Sequence, residues 1–281
     1  ERLIVLTPEK AREKRGIDLY TRHEVLNIDR QAKKVRVKDL GSGREFEQEY
    51  EKLVIAAGAR AVRPPIPGID LPGVFTLKEF QDGLDVQAFI DDRKPSRAVI
   101  LGGGYIGIES AEAFRNAGME VAVVEALPRI LTLLDEDMAA MVEAELTVKG
   151  VTVTKNKRVT AFTGADRVTE VELDDGTVLK ADIALVSAGV LPNSSLAEKA
   201  GLKLGQKKSV LINDYLKTSD PDIYAAGDCT AVYNRVLDDY VFVPLALGAN
   251  RQGRMCGENI AAELAGEKLS RFPGILGTAI S

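Results

Sequence analysis

The chain has 281 residues, enough for two domains, and its 45% hydrophobic and 28% charged residues are typical of a globular protein. Its formal net charge of −5 gives no indication of a nucleic-acid or membrane partner, and no apolar run approaches the length of a membrane span. The two cysteines, Cys229 and Cys256, lack metal or dithiol spacing, which favours a reducing, cytoplasmic setting and predicts no metal site.

The first elements predicted along the chain are a helix and several strands. Thr7 is a plausible N-cap, Pro8 suits the first helical position, and Gly16 ends the helix. The segments IDLYTRHEVLNID and KKVRVKDL then predict strands, and a buried strand is expected at Leu53–Ala56, ending at Gly58. The proline-rich RPPIPGIDLPG that follows is interpreted as a loop or linker.

The second half alternates strands and helices. We expect a short buried strand at 98–101, a helix at 105–117 and a strand at EVAVVEA. A further helix is capped by Asp135 and ends at Gly150, with an apolar face formed by Met138, Met141, Val142 and Leu146. A hairpin around Asp175-Gly176 leads to a buried strand that ends at Gly189. This alternation predicts an α/β protein with a doubly wound parallel sheet.

The two halves share one plan of hairpin, buried strand and Ala-Gly. This indicates two doubly wound, Rossmann-like nucleotide-binding domains. Only the second half carries a glycine-rich turn before its Ala-Gly. The first copy is therefore expected to be incomplete, with its own glycine turn upstream of Glu1, and the chain to be a piece of a longer protein.

The stretch LGGGYIGIE has the G-x-G-x-x-G spacing at Gly102, Gly104 and Gly107, after an apolar strand and at the start of a helix. In a dinucleotide site the first glycine permits the tight turn, the second lets the backbone approach the pyrophosphate, and the third permits close helix–strand contact. The helix N-terminus then faces the phosphates. A plain strand-to-helix turn is the alternative.

A carboxylate at Glu125 ends the next strand, about 20 residues after the glycine turn. There it would bind both ribose hydroxyls of NAD and repel the extra phosphate of NADP. The sequence therefore favours NAD(H) over NADP(H), although Arg129 lies close enough in sequence to weaken that preference.

Several segments in order carry a family resemblance: TPEKAREKRGI, HEVLNID, KLVIAAGA, PPIPG, GGGYIGIE, SAGVLPN, TSDPDIYAAGD and PLALGANRQGR. Together they resemble the pyridine nucleotide–disulfide oxidoreductase flavoproteins, and most of all the branch of NADH oxidases, NADH peroxidases and coenzyme A-disulfide reductases. The resemblance implies an NAD domain inserted in an FAD domain, with FAD sequence at 1–82 and 213–281 and NAD sequence at 83–212.

The resemblance also assigns cofactor positions. For FAD it implies Val25 at the adenine, Ala57, Gly58 and Gly227 close to the cofactor, Asp228 at the ribitol chain and Ala246 near the flavin ring. For NAD it implies Ile106, Glu125 and Gly189, with Tyr105 matching the tyrosine that covers the flavin where nicotinamide enters. Arg15 matches a coenzyme A phosphate contact and Asn250 another substrate contact; simple solvent exposure is the alternative for both.

The reaction that the resemblance implies passes hydride from NAD(P)H to flavin. The acceptor is then a disulfide, persulfide or peroxide at a single redox cysteine, or oxygen. That cysteine is expected upstream of this chain, so no catalytic residue is assigned within it, and Cys229 and Cys256 are interpreted as small core residues. The resemblance also implies a homodimer held by a further C-terminal domain, and we expect this chain alone to be inactive.

Two other hypotheses remain open from the sequence. One is an NADH-dependent reductase of a small electron-transfer protein, which shares the flavin motifs but lacks the cysteine. The other is a nucleotide-binding module without turnover.

Overall fold

The helices and strands are taken from a computed structural model that describes residues 6–275. Its helices are α1 (Pro8–Arg15), α2 (Phe80–Arg93), α3 (Tyr105–Asn116), α4 (Glu136–Val148), α5 (Ser195–Lys199) and α6 (Ala246–Leu264). Its strands are β1 (His23–Asp29), β2 (Lys34–Asp39), β3 (Glu45–Glu49), β4 (Leu53–Ile55), β5 (Ala59–Ala61), β6 (Val74–Thr76), β7 (Arg97–Leu101), β8 (Glu120–Glu125), β9 (Val151–Lys155), β10 (Val159–Thr163), β11 (Glu170–Leu173), β12 (Val178–Lys180), β13 (Ile183–Val186), β14 (Val190–Pro192), β15 (Val210–Leu211), β16 (Ile223–Ala225), β17 (Thr230–Asn234) and β18 (Asp239–Val241). Among these residues, no helix is long and apolar enough to cross a lipid bilayer.

The chain forms two compact units. Unit 1 comprises Glu1–Ala59 and Pro192–Ser281, and unit 2 comprises Arg60–Leu191. The borders fall in β5 and β14, which pair with each other. They lie about twenty residues before the domain borders expected after residues 82 and 212. The expected border after residue 82 would fall inside α2, a helix that the sequence analysis did not predict.

Unit 2 is built on a five-stranded parallel sheet with the order β6-β13-β7-β8-β9. Strand β13 lies between two neighbours, and all four of its residues are buried. Two apolar clusters form the core of this unit; Ile100, Phe114, Val123 and Leu185 belong to one, and Phe162 and Val171 to the other. The sheet confirms the predicted parallel α/β architecture.

Unit 1 contains the antiparallel sheet β1-β2-β3, the sheet β15-β17-β18 and the parallel pair β16-β4. Its core includes Tyr224, Leu216 and Ile223. The prediction of a buried strand at Leu53–Ala56 was wrong in part, since only Ile55 of β4 is buried and Ala56 is exposed. Within residues 6–275, β4 has β16 as its one neighbour, and the other edge of the strand carries no partner.

The predicted helix ends at α1 and α4 had different outcomes. At α1 the Thr7 hydroxyl accepts a hydrogen bond from the Lys10 N–H at 3.3 Å, and Gly16 ends the helix with φ +62°. Asp135 precedes α4 as predicted, but its side chain makes no capping hydrogen bond. The apolar face proposed for α4 was wrong at two positions.

Met138 and Met141 are 51% and 67% exposed, whereas Leu146 is buried as expected. The helix buries Ala139 in place of the two methionines, so its packed face is rotated from the one that the apolar residues suggested.

Candidate functional site

The turn after β7 is the best-defined candidate site of unit 2. Gly102 has φ +103°, a region that favours glycine, and a Cβ there would lie 2.5 Å from the Ser187 carbonyl oxygen. The Gly102 N–H donates to the Val124 carbonyl at 2.8 Å, and the Ser187 hydroxyl lies 2.9 Å from the Gly102 carbonyl oxygen. Both the backbone conformation and the space therefore exclude a larger residue at position 102.

The other glycines of the turn have separate structural reasons. A Cβ on Gly107 would lie 2.0 Å from the Gly102 carbonyl oxygen, so the first turn of α3 packs directly on the strand end. A Cβ on Gly104 would meet no atom within 4 Å, and the backbone there is open to an approaching group. Gly104 is also the N-cap of α3, where backbone N–H groups lack partners within the helix.

Gly103 belongs to the same turn, although the three-glycine spacing does not select it. A Cβ on Gly103 would lie 2.6 Å from Ile130 Cγ2. Its N–H donates to Glu125 Oε2 at 2.7 Å, and Glu125 Oε1 accepts from the Leu127 N–H at 2.8 Å. The Glu125 carboxylate is thus fixed between the glycine turn and the loop after β8.

A cleft of about 490 Å³ opens at this end of the parallel sheet, and all of its lining residues lie in unit 2. Gly102, Gly104 and Glu125 line it, together with Pro64 and Ile66 from the proline-rich loop. The sequence of that loop predicts only a connection, because nothing in its spacing marks the two apolar residues as a cleft wall.

The remaining predicted residues of unit 2 lie near this cleft but do not line it. Tyr105 and Ile106 begin α3 behind the turn, and Gly189 follows β13 with φ +89°. The Tyr105 hydroxyl is buried and has no hydrogen-bond partner in the described part of the chain. Gly189 accepts a hydrogen bond from the Val62 N–H at 2.9 Å.

The candidate site of unit 1 lies at the carboxyl ends of the adjacent parallel strands β4 and β16. Ala57 and Gly58 follow β4, and Gly227 and Asp228 follow β16, so the pairing places both turns at one edge. Asn193 supports the first turn: its Nδ2 donates to the Ala57 carbonyl at 3.0 Å, and its N–H donates to the Gly58 carbonyl at 2.9 Å.

The second turn is supported by Gln252, which lies in the segment NRQGR and to which the sequence assigns no role. Gln252 is 3% exposed. Its Oε1 accepts hydrogen bonds from the Gly227 N–H at 2.7 Å and from the Thr230 hydroxyl at 3.1 Å. Helix α6 therefore sets the backbone just before Asp228. Its place in the segment NRQGR was the only signal in the sequence that could have identified it.

The other predicted residues of unit 1 are more dispersed. Val25 lies in β1 opposite Val37, next to a register shift in the ladder. Ala246 begins α6, and Asn250 is exposed one turn later. Arg15 is the last residue of α1 and is exposed.

Both cysteines are buried and unpaired. Burial raises the pKa of the Cys229 thiol, and it raises the pKa of Cys256 to about 12. The Cys229 thiol donates to the Ala226 carbonyl at 3.4 Å. Because the thiolate is the reactive form, this burial supports the interpretation of both as core residues.

Comparison with known proteins places these turns in a family. The profile of the pyridine nucleotide-disulphide oxidoreductases matches residues 4–253. The chain belongs to this family. The finding confirms the predicted resemblance, and family membership implies FAD and a pyridine nucleotide as cofactors.

Two curated members of the family are similar along nearly the whole chain. NADH oxidase of Methanocaldococcus jannaschii is 36% identical over 99% of this chain and 61% of its own length. The NAD(P)H coenzyme A polysulfide/persulfide reductase of Pyrococcus horikoshii is 36% identical over 100% of this chain and 61% of its own length. The chain thus spans 61% of the length of these relatives.

A solved structure shows the same fold. The reduced CoADR-RHD of Bacillus anthracis matches with a TM-score of 0.93 and 34% identity, over 99% of this chain and 49% of that one. This confirms the predicted α/β class with Rossmann-like domains.

The residues of the two turns fit such cofactors. In unit 2, Gly104 leaves open backbone at a helix N-terminus, which suits a diphosphate, and a carboxylate stands at the end of the next strand. In unit 1, Gly58 and Gly227 have φ +66° and +80° at one sheet edge, where a ligand can approach the backbone closely.

Proposed function

We propose that this chain is the nucleotide-binding part of an FAD-dependent NAD(P)H oxidoreductase. The whole protein would pass hydride to flavin and on to a disulfide, a persulfide, a peroxide or oxygen. The observation that carries the proposal is the glycine turn of unit 2, where Gly102, Gly103 and Gly107 each exclude a side chain while Gly104 leaves open space. The names of two relatives, an NADH oxidase and a coenzyme A polysulfide/persulfide reductase, support the proposed classes of electron acceptor.

In this proposal unit 2 holds the nicotinamide dinucleotide. The first N–H groups of α3 bind its diphosphate, and Glu125 accepts hydrogen bonds from the adenosine ribose. Each Glu125 oxygen already accepts one backbone N–H and keeps a further lone pair for a hydroxyl. Pro64 and Ile66 exclude water from one wall of the cleft. This arrangement favours NADH over NADPH.

Unit 1 would hold FAD at the turns Ala57-Gly58 and Gly227-Asp228. Bound flavin supplies the electron chemistry, accepting a hydride and releasing electrons to the next acceptor. The chain's own contribution is to position it: Asn193 and Gln252 fix the two turns, and Asp228 accepts a hydrogen bond from a ribitol hydroxyl. Arg15 and Asn250 are the proposed substrate contacts, and the whole protein is proposed to be a cytoplasmic homodimer.

The proposal is tested by the absorbance spectrum of the purified chain with added FAD, and by NADH binding measured calorimetrically without flavin. We expect saturable NADH binding and a flavin band that bleaches on NADH addition. NADH binding without any flavin band supports only a nucleotide-binding module for this chain. Failure to bind NADH would overturn the proposal for unit 2.

A further inference from the structure

Two basic side chains that no motif selects, Lys157 and Arg158, line the cleft beside Glu125. They follow β9 in a loop held against the loop after β8. The Lys157 N–H donates to the Glu125 carbonyl at 3.1 Å, and the Asn156 N–H donates to the Leu127 carbonyl at 3.2 Å. The backbone therefore fixes this basic pair next to the strand end that carries the Glu125 carboxylate.

The two cations differ in their electrostatic surroundings. Lys157 Nζ lies 2.8 Å from Asp175 Oδ2, and this hydrogen bond raises the pKa of Lys157 and lowers that of Asp175. Arg158 is exposed, and its guanidinium has no ion pair or hydrogen bond with any residue from 6 to 275. The charge of Arg158 is therefore available to a ligand in the cleft.

Arg129, the basic residue that the sequence suggested near Glu125, is not among the cleft-lining residues. Its Nη2 donates to the Thr132 carbonyl at 3.4 Å. The basic residues that line the cleft beside Glu125 therefore lie in the loop after β9, and not in the loop after β8 as the sequence suggested.

We propose that Arg158 binds the 2′-phosphate of NADPH, so that the cleft accepts NADPH as well as NADH. This inference rests on the proposed nucleotide site of unit 2. A 2′-phosphate brings negative charge beside the Glu125 carboxylate, which by itself disfavours NADPH. A guanidinium offsets that repulsion and suits phosphate, because its planar N–H groups form two parallel hydrogen bonds.

The proposal is tested with two cofactor fragments that differ only in the 2′-phosphate, 2′,5′-ADP (adenosine 2′,5′-bisphosphate) and 5′-AMP. Their affinities are measured by titration calorimetry for the unsubstituted chain, Arg158→Ala, Arg158→Lys and the control Arg167→Ala. Arg167 is an exposed arginine of the same unit that lies outside the lining of this cleft, so its loss matches the change in net charge.

We expect Arg158→Ala to weaken the binding of 2′,5′-ADP about tenfold, a loss of about 1.4 kcal/mol, and to change the binding of 5′-AMP less than about twofold. Arg158→Lys keeps part of the affinity, and Arg167→Ala leaves the ratio of the two affinities unchanged. Added salt shrinks the difference between the unsubstituted chain and Arg158→Ala, because the contact is exposed.

Two outcomes overturn the proposal, and they are distinguishable. If both fragments bind and Arg158→Ala weakens them equally or not at all, the assignment of Arg158 is wrong and the nucleotide site stands. If the unsubstituted chain binds neither fragment, the proposed nucleotide site of unit 2 fails together with this inference.

Discussion

Strands β13 and β4 have similar apolar sequences, and each is followed by Ala-Gly, yet they differ in burial. All four residues of β13 are buried, because the strand lies between β6 and β7. In β4 only Ile55 is buried, and within residues 6–275 the strand pairs with β16 alone. Burial of an apolar strand therefore depends on its neighbours, which its own sequence does not state.

The two candidate sites also differ in how far apart in the sequence their supporting residues lie. In unit 2 the supporting hydrogen bond joins Gly103 to Glu125, which are 22 residues apart in the chain. In unit 1 the turn at Ala57 is held by Asn193, 136 residues away. The first site is a continuous motif, and the second is assembled by tertiary contacts. Three predictions test this difference, in decreasing order of the expected effect.

The largest effect is expected for Gly107→Val in the continuous motif. A Cβ at this position lies 2.0 Å from the Gly102 carbonyl oxygen, so the helix must move away from the strand end. We expect the free energy of unfolding to fall by about 3 kcal/mol and NADH binding to be lost. Chemical denaturation and calorimetric titration measure the two effects.

Gly104→Ala is the matched control, since its Cβ meets no atom within 4 Å. Stability should change by less than about 0.5 kcal/mol, while NADH binds about tenfold more weakly because the methyl group obstructs the diphosphate. Unchanged NADH affinity in both variants would contradict the assignment of this turn.

The second largest effect is expected for Gln252→Leu, in the site of unit 1 that tertiary contacts assemble. This change leaves the Gly227 N–H and the Thr230 hydroxyl without the oxygen that both now contact. We expect a loss of about 2 kcal/mol in stability and a fall in bound FAD, measured from denaturation curves and the flavin absorbance. Asn250→Ala, at an exposed position of the same helix, should leave stability unchanged. Equal stability of Gln252→Leu and the parent chain would show that α6 does not hold this turn.

The features that depend on local spacing could be predicted from the sequence. The parallel sheet is confirmed, and the glycine turn has the expected strand-to-helix position, while the cofactor roles of the turn and of Glu125 stay predictions. Gln252, Asn193 and Arg158 were not predicted as supports or ligands, because their partners are brought close only by folding. Helix α2 was not predicted either. The apolar residues of α4 predicted the wrong buried face, because two of its methionines face solvent.

The smallest effect is expected in an ionic cluster that anchors the far end of α6. Glu263 Oε1 lies 2.6 Å from Lys217 Nζ and 3.0 Å from Lys52 Nζ, and the Tyr224 hydroxyl donates to Oε2 at 2.5 Å. Burial alone raises the pKa of Glu263, but these contacts outweigh burial and hold the pKa at about 2.

Because the folded-state pKa is depressed, the carboxylate contributes its full stabilisation above its ordinary value of 4.5 and loses it as the pH falls toward about 2. Glu263→Gln should lower stability by about 1.5 kcal/mol at neutral pH and flatten the stability profile across that range. Glu258→Gln is the control, since the one ion pair of Glu258 within residues 6–275 is an exposed pair with Arg254.

Tyrosine fluorescence makes the measurement report mainly on unit 1. The chain has no tryptophan and seven tyrosines, and Tyr105 is the only one in unit 2. If Glu263→Gln keeps the acid dependence of the parent chain in this signal, the cluster does not anchor α6.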